Sequence, residues 1–197
     1  KGYAIAQSNL GECYRDGKYV KQSNTKAHEW YSRAAMQGDT DAIKELKLLD
    51  KKERAEDKRQ TQTMKEEATK SEISRASISP TSTKVNDTKE GEIEITKDMK
   101  IVPWIDDAPK NTRTMTLNRL RQKVKKKKLW AICEMGRRYE IGGGVEKSLD
   151  KAIEYYKKGS ELGYPISMNQ LGKMYEEGEG VDKNEKLAFE HYQMGAL

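Results

Sequence analysis

The sequence predicts an all-α fold: an α/α-solenoid of stacked helical hairpins with a long, largely disordered insertion. Three observations point there. Glycine, tyrosine, valine and alanine recur at fixed offsets toward both ends of the 197 residues. Charged residues (36%) outnumber apolar ones (35%), and a mean hydropathy of −1.00 is too polar for one filled core over the whole length. The middle differs from the flanks: Lys44 to Lys128 holds 23 basic and 15 acidic side chains, and Thr61 to Thr96 holds twelve Ser or Thr. So few large apolar residues cannot offset chain entropy, and disorder is expected there.

With Gly11, Gly136 and Gly172 as origins, the columns align. An apolar residue precedes each origin (Leu10, Met135, Leu171). Three positions on stand Tyr14, Tyr139 and Tyr175; six on, Gly17, Gly142 and Gly178. Nine on come Val20, Val145 and Val181; sixteen on, Ala27, Ala152 and Ala188; twenty on, Tyr31, Tyr156 and Tyr192. The last two copies lie 36 residues apart. Each unit reads as a helical hairpin. Its first helix ends at a glycine that tolerates positive φ. The valine plugs the space between the helices. The second helix sets Ala and Tyr on one face by three- and four-residue steps, and Gly38 and Gly163 close the unit. One hairpin cannot cover its own apolar face, so neighbours must stack.

Asn9-Leu10-Gly11, Tyr14, Gly17, Lys26-Ala27 and Trp30-Tyr31 with Ala34-Ala35 resemble the Sel-1-like repeat, a relative of the tetratricopeptide repeat. Leu171-Gly172, Tyr175, Gly178-Glu179-Gly180-Val181, Ala188 and Tyr192 resemble it as well. The resemblance implies an adaptor that binds other proteins and has no chemistry of its own. Tyr19 departs from the pattern at the second turn glycine, and Gly159-Ser160 departs at the alanine pair. Disulfide-rich secreted members resemble it too, but Cys13 and Cys133 fall in different columns, which argues against a bridge within a hairpin.

The first two origins are 125 residues apart, which is two periods plus 53. One period after Ala6 and Leu10 stand Ala42 and Leu46, so Asp41 to Lys52 is expected to be a degenerate first helix. One period before Tyr156 and Ser160 stand Leu120 and Val124, the mark of a degenerate second helix. The favoured layout is residues 1–52 for the first repeat and the first helix of a split repeat, 53–113 for the insertion, and 114–197 for the rest of the split repeat and two further repeats. Two unrelated arrays on a linker are the alternative. Closing a longer loop costs only about 0.6 kcal/mol per doubling of its length. Gly2 is one period before Gly38, so Lys1-Gly2 reads as the tail of an earlier repeat. The closing glycine expected near position 199 is absent, and the chain reads as a piece of a longer array.

In each first helix, positions three before, one after and four after the origin share a face. Ser8, Glu12 and Arg15, then Cys133, Arg137 and Glu140, then Asn169, Lys173 and Glu176 are expected to line a concave groove that holds partner peptides or helices. Arg119 to Lys128 is the rival feature, with seven basic residues in ten. Lys123, Lys125, Lys126, Lys127 and Lys128 would act as a nuclear import signal or as a nucleic-acid or anionic-surface patch, unless they are a plain solvated face. No aromatic-studded groove supports the reading of a nucleic acid sequence. Arg75-Ala-Ser77 and Ser79-Pro80 look like phosphorylation acceptors, where a phosphate adds about −1.5 to −2 charges. Ile101 to Asp107 is the one apolar cluster of the insertion, either a peptide for a partner or a segment folded back on the solenoid.

The remaining motifs have plainer readings. Ser148 and Lys151 match the Ser-x-x-Lys of some serine enzymes, but no companion motif follows and Lys151 shares the column of Lys26. Gly142-Gly143-Gly144 lacks the Lys-Ser or Lys-Thr pair of a phosphate loop. His28 and His191 fall in different columns without a metal-binding set. The expectation is therefore a non-enzymatic scaffold that binds other proteins, with no cofactor, no small-molecule substrate and no membrane span. The start of the chain does not read as a signal peptide, although one further upstream stays open, and two cysteines make no disulfide framework. A cytoplasmic setting is expected, or a nuclear one through the basic run.

Overall fold

The computed structural model describes residues 2–74, 108–109 and 111–197, with side chains for all of these except 65–74. Ser77, Ser79 and the Ile101 to Asp107 cluster lie outside the described residues. Among those described there are eight α-helices and no strand. The helices are α1 (Ala4–Asp16), α2 (Asn24–Ala35), α3 (Thr40–Ser74), α4 (Leu117–Lys125), α5 (Leu129–Ile141), α6 (Leu149–Glu161), α7 (Pro165–Glu177) and α8 (Glu185–Ala196). The chain forms two compact units, one of Lys1–Lys47 with Lys100–Leu197, the other of Leu48–Met99.

In the first unit, α1/α2, α5/α6 and α7/α8 are the three hairpins the columns predict. Gly17, Gly142 and Gly178 cap the first helices in the left-handed region, at φ 71, 78 and 74, where any side chain is strained. Ser23, Ser148 and Asn184 open the second helices, each accepting a hydrogen bond from the backbone N–H three residues on. The origin glycines have a packing reason. A Cβ on Gly11, Gly136 or Gly172 would come within 2.8, 2.8 and 2.6 Å of the ring of Tyr31, Tyr156 or Tyr192. Each fully buried tyrosine therefore lies flat against the first helix of its own hairpin. In the two later hairpins the Tyr three positions on stacks against the ring nineteen on: Tyr139 on Tyr155 at 5.7 Å, and Tyr175 on His191 at 5.5 Å.

Helix α4 falls where a degenerate second helix was expected, and its C-terminal turn keeps the register of α6. Leu120 is fully buried. Lys127 stands one period before Gly163 and takes its left-handed turn at φ 54. Lys128 N donates to Lys123 O (3.1 Å), as Tyr164 N donates to Gly159 O (2.9 Å). Helix α3 corrects an expectation, because it does not stop near Lys52 but runs on to Ser74, into the stretch where disorder was expected from Thr61. No Gly or Pro falls between Gly38 and Pro80, and Lys, Glu, Arg, Gln, Ala and Met lose little freedom in a helix. Composition ruled out a core there without ruling out a solvated helix: the side chains from Lys51 to Met64 are all exposed.

The order of stacking is not the order of the chain. Helix α6 packs on α7, and α8 packs on α1. The first hairpin thus sits on the last, sharing a core of Ala6, Leu10 and Cys13 with Ala188, Phe189, Tyr192 and Ala196. Tyr3 N donates to Gly195 O (2.9 Å), repeating the bond from Tyr164 to Gly159 one period later. Gln7 Nε2 donates to Ala196 O (3.0 Å). Gly2 lies so close to Ala196 that a Cβ would fall 1.8 Å from its carbonyl oxygen. A second core, around Leu120, Trp130, Met135, Tyr156 and Leu171, runs from α4 through α7.

Candidate partner-binding groove

Stacking α8 on α1 sets the first helices α7 and α1 side by side, and the first turns of α3 follow α1. Polar side chains tie them together. Asn9 Nδ2 donates to Asn169 Oδ1 (2.9 Å). Lys18 Nζ donates to Glu176 Oε1 (2.7 Å) and Glu12 Oε1 (3.1 Å), bridging the two helices. Burial alone would lower the Lys18 pKa, but its two carboxylate partners raise it; burial would raise Glu176, but Lys18 and the Tyr192 hydroxyl hold it below the usual carboxylate range. Arg15 forks onto Asp16 (2.7 and 3.0 Å) and reaches Glu45 on α3 (2.5 Å).

The predicted groove residues divide by this geometry. Glu12 and Glu176 meet through Lys18, while Ser8, Glu12 and Arg15 line one cavity between α1 and α3. Asn169 is buried and holds the wall through Asn9. Lys173, with a side chain 55% exposed, has Glu177 at 3.7 Å. Glu140 accepts the Tyr156 hydroxyl. Cys133 is buried in the core around Leu120, Trp130, Met135, Tyr156 and Leu171. Arg137 donates to the buried Glu134 (2.8 and 2.7 Å).

Burial would raise the Glu134 pKa, but Arg137 and Arg138 keep it low. Arg138, itself buried, also donates to the carbonyls of Thr112, Arg113 and Met115, pinning the 3-10 turn Thr112–Thr114 to α5. Sequence columns did not flag Glu134 and Arg138, since neither recurs. Asn9, Lys18 and Glu45 were missed for another reason: their partners lie on neighbouring hairpins.

The other candidates are placed plainly. Ser148 Oγ caps α6 by accepting from Lys151 N, and Lys151 Nζ sits 5.5 Å over the Tyr139 ring. Of the basic run, Lys123 is half-buried, and Lys125, Lys126, Lys127 and Lys128 are exposed. Cys13 and Cys133 are free and buried, and burial pushes both thiols up to about 12. Among the described residues no His, Cys, Asp or Glu cluster could hold a metal ion, and no helix is long and apolar enough to cross a membrane.

No curated protein matches the chain significantly. A crystal structure of a Sel1 repeat protein from Oxalobacter formigenes is 36% identical over 41% of this chain and 60% of its own, with a TM-score of 0.39. A protective antigen present in uropathogenic Escherichia coli, with an SLR fold, is 23% identical over 99% of this chain and 38% of its own, with a TM-score of 0.38. The chain therefore spans less than two thirds of either neighbour. The model of the Sel1 repeat matches residues 4–39, 131–164 and 165–197, which are the three hairpins described above. More than half of its residues carry that repeat, and the protein belongs to the Sel1 repeat family.

Proposed function

We propose that the protein is a non-catalytic scaffold that binds partner polypeptides along the face built from its first helices. Sel1 repeats generally serve as protein-interaction scaffolds. The observation that carries the reading here is the row of α7, α1 and the start of α3, joined by Asn9–Asn169, Lys18–Glu176 and Arg15–Glu45. Such a row offers polar side chains along one line, as an extended peptide or helix requires. In the same reading, residues 53–113 are an insertion within a split repeat. The setting is the cytoplasm, where thiols stay reduced.

The test uses Lys173→Glu. Lys173 lies on α7 with its side chain 55% exposed and only Glu177 at 3.7 Å beside it, so reversing its charge should change stability by no more than about 0.5 kcal/mol, as is usual for exposed substitutions. Partners cross-linked to the full chain and identified by mass spectrometry should be lost from this variant. Retention of the same partners at the same yield would move the binding surface elsewhere. Arg137→Glu is a poorer probe, because it would set a second carboxylate beside the buried Glu134.

A further inference from the structure

The three tyrosines twenty positions after the origins pack alike, yet one hydroxyl differs. Tyr156 Oη donates to Glu140 Oε2 (2.5 Å), and Tyr192 Oη donates to Glu176 Oε2 (2.7 Å). In the first hairpin Arg15 stands where those glutamates stand. Tyr31, only 1% exposed, has a buried hydroxyl with no hydrogen-bond partner. Buried polar groups are almost always paired, and an unpaired one calls for an explanation. Burial raises the Tyr31 pKa above its ordinary value, Arg15 opposes this, and Glu45 and Glu12 add to it. Those three groups, like Tyr31, line a half-open cavity of about 540 Å³ between α1 and the start of α3.

Charge decides what fits there. The lining carries Glu12, Asp39, Asp41 and Glu45 against Arg15, while Lys18 reaches Glu12 (3.1 Å) and Lys44 reaches Asp41 (2.8 Å) from outside it. Arg15 is already held by Asp16 and Glu45, with Glu12 at 3.7 Å. Four carboxylates against three cations leave an excess of acid, which a carboxylate entering the cavity would meet unfavourably. An ammonium or guanidinium would meet it favourably, and a phenol oxygen can accept an N–H as well as donate. We propose that this cavity takes the lysine or arginine side chain of a partner polypeptide, held by Glu12, Asp41 and Glu45 and hydrogen-bonded to Tyr31 Oη. The proposal rests on the scaffold reading of the groove and names what one end of it selects.

The test is Tyr31→Phe, which removes a single oxygen. Because Oη has no internal partner, the melting temperature should hold or rise slightly, whereas Tyr156→Phe and Tyr192→Phe should lower it. Full-length protein is titrated with labelled pentalysine, pentaarginine and pentaglutamate by fluorescence anisotropy at low salt. At least one basic peptide should bind and pentaglutamate should not. Tyr31→Phe should weaken the basic peptide about ten- to a hundredfold, the usual range for one hydrogen bond to a charged group. Glu45→Gln should weaken it further. Unchanged affinity in Tyr31→Phe, a preference for pentaglutamate, or no binding of either basic peptide would overturn the proposal. The Lys173→Glu capture reads the groove separately: a partner that Tyr31→Phe still captures with wild-type affinity, in a Lys173-dependent way, retires the cavity and keeps the scaffold.

Discussion

Among the described residues two non-glycine residues occupy the left-handed region, Tyr19 (φ 61) and Lys127 (φ 54), and both stand in glycine columns. Their surroundings differ. The Tyr19 ring lies 6.0 Å from that of Phe189, so it supports the joint between the first and last hairpins. Lys127 is exposed and makes no such contact. A non-glycine residue costs about 1–2 kcal/mol in this conformation, and glycine returns part of that through its freer unfolded state. Lys127→Gly should therefore stabilise the protein by about 0.5–1 kcal/mol in urea melts, while Tyr19→Gly should gain nothing. Ser148 belongs at this scale as well. Its hydroxyl caps α6, so Ser148→Ala should cost about 1 kcal/mol. A fluorophosphonate probe should leave no adduct on it; an adduct would reopen the enzymatic reading.

Between elements, the fit of Gly to Tyr sets how closely each hairpin closes. Gly172→Ala would place a methyl 2.6 Å from the Tyr192 ring, and it should cost about 1–3 kcal/mol as an overpacked interface. An unchanged melting curve would mean that the helices separate freely. The contact of α7 with α8 also responds to pH. His191 stacks on Tyr175 and faces Lys157 from α6; burial first, then Lys157, lowers its pKa from 6.5 to about 4. The unfolded chain takes up a proton near pH 6.5 that the folded one refuses until about pH 4. Stability should therefore be full above pH 6.5 and fall as the pH drops through that window, by up to about 3 kcal/mol. His191→Phe keeps the ring and should remove that slope; if it does not, other groups carry the acid response.

At the scale of the molecule, the seat of α1 on α8 carries the largest consequence. Cleavage within the insertion should leave two fragments that co-elute on sizing, held by the shared core and by the bond from Tyr3 to Gly195. Gly2→Val, which cannot fit beside the Ala196 carbonyl, together with Phe189→Ala should release them. Fragments that part without these changes would refute the joint. Association alone does not test whether Asp41 to Lys52 pairs with α4 as one split hairpin. That proposal needs a chain in which residues 53–113 are replaced by a short turn. It should keep its helical signal and gain slightly in stability.

The sequence by itself determined the hairpins. Gly11 and Tyr31, Gly136 and Tyr156, and Gly172 and Tyr192 are partners twenty residues apart within one unit, so any chain that folds the unit must bring them together. That is why columns reveal them, and why Leu120 and Val124 led to the expectation of a degenerate helix there. Tertiary structure alone decided which hairpin neighbours which. Repeat faces are nearly equivalent, so α1 could stack on any exposed second helix, and no column says that Phe189 and Ala196 receive it. The groove follows from that choice. Asn9 with Asn169 and Lys18 with Glu176 are close only because the last hairpin abuts the first. The cavity depends on a local substitution and a tertiary neighbour together: Arg15 in a glutamate column leaves the Tyr31 hydroxyl unpaired, and α3 supplies the acids that surround it.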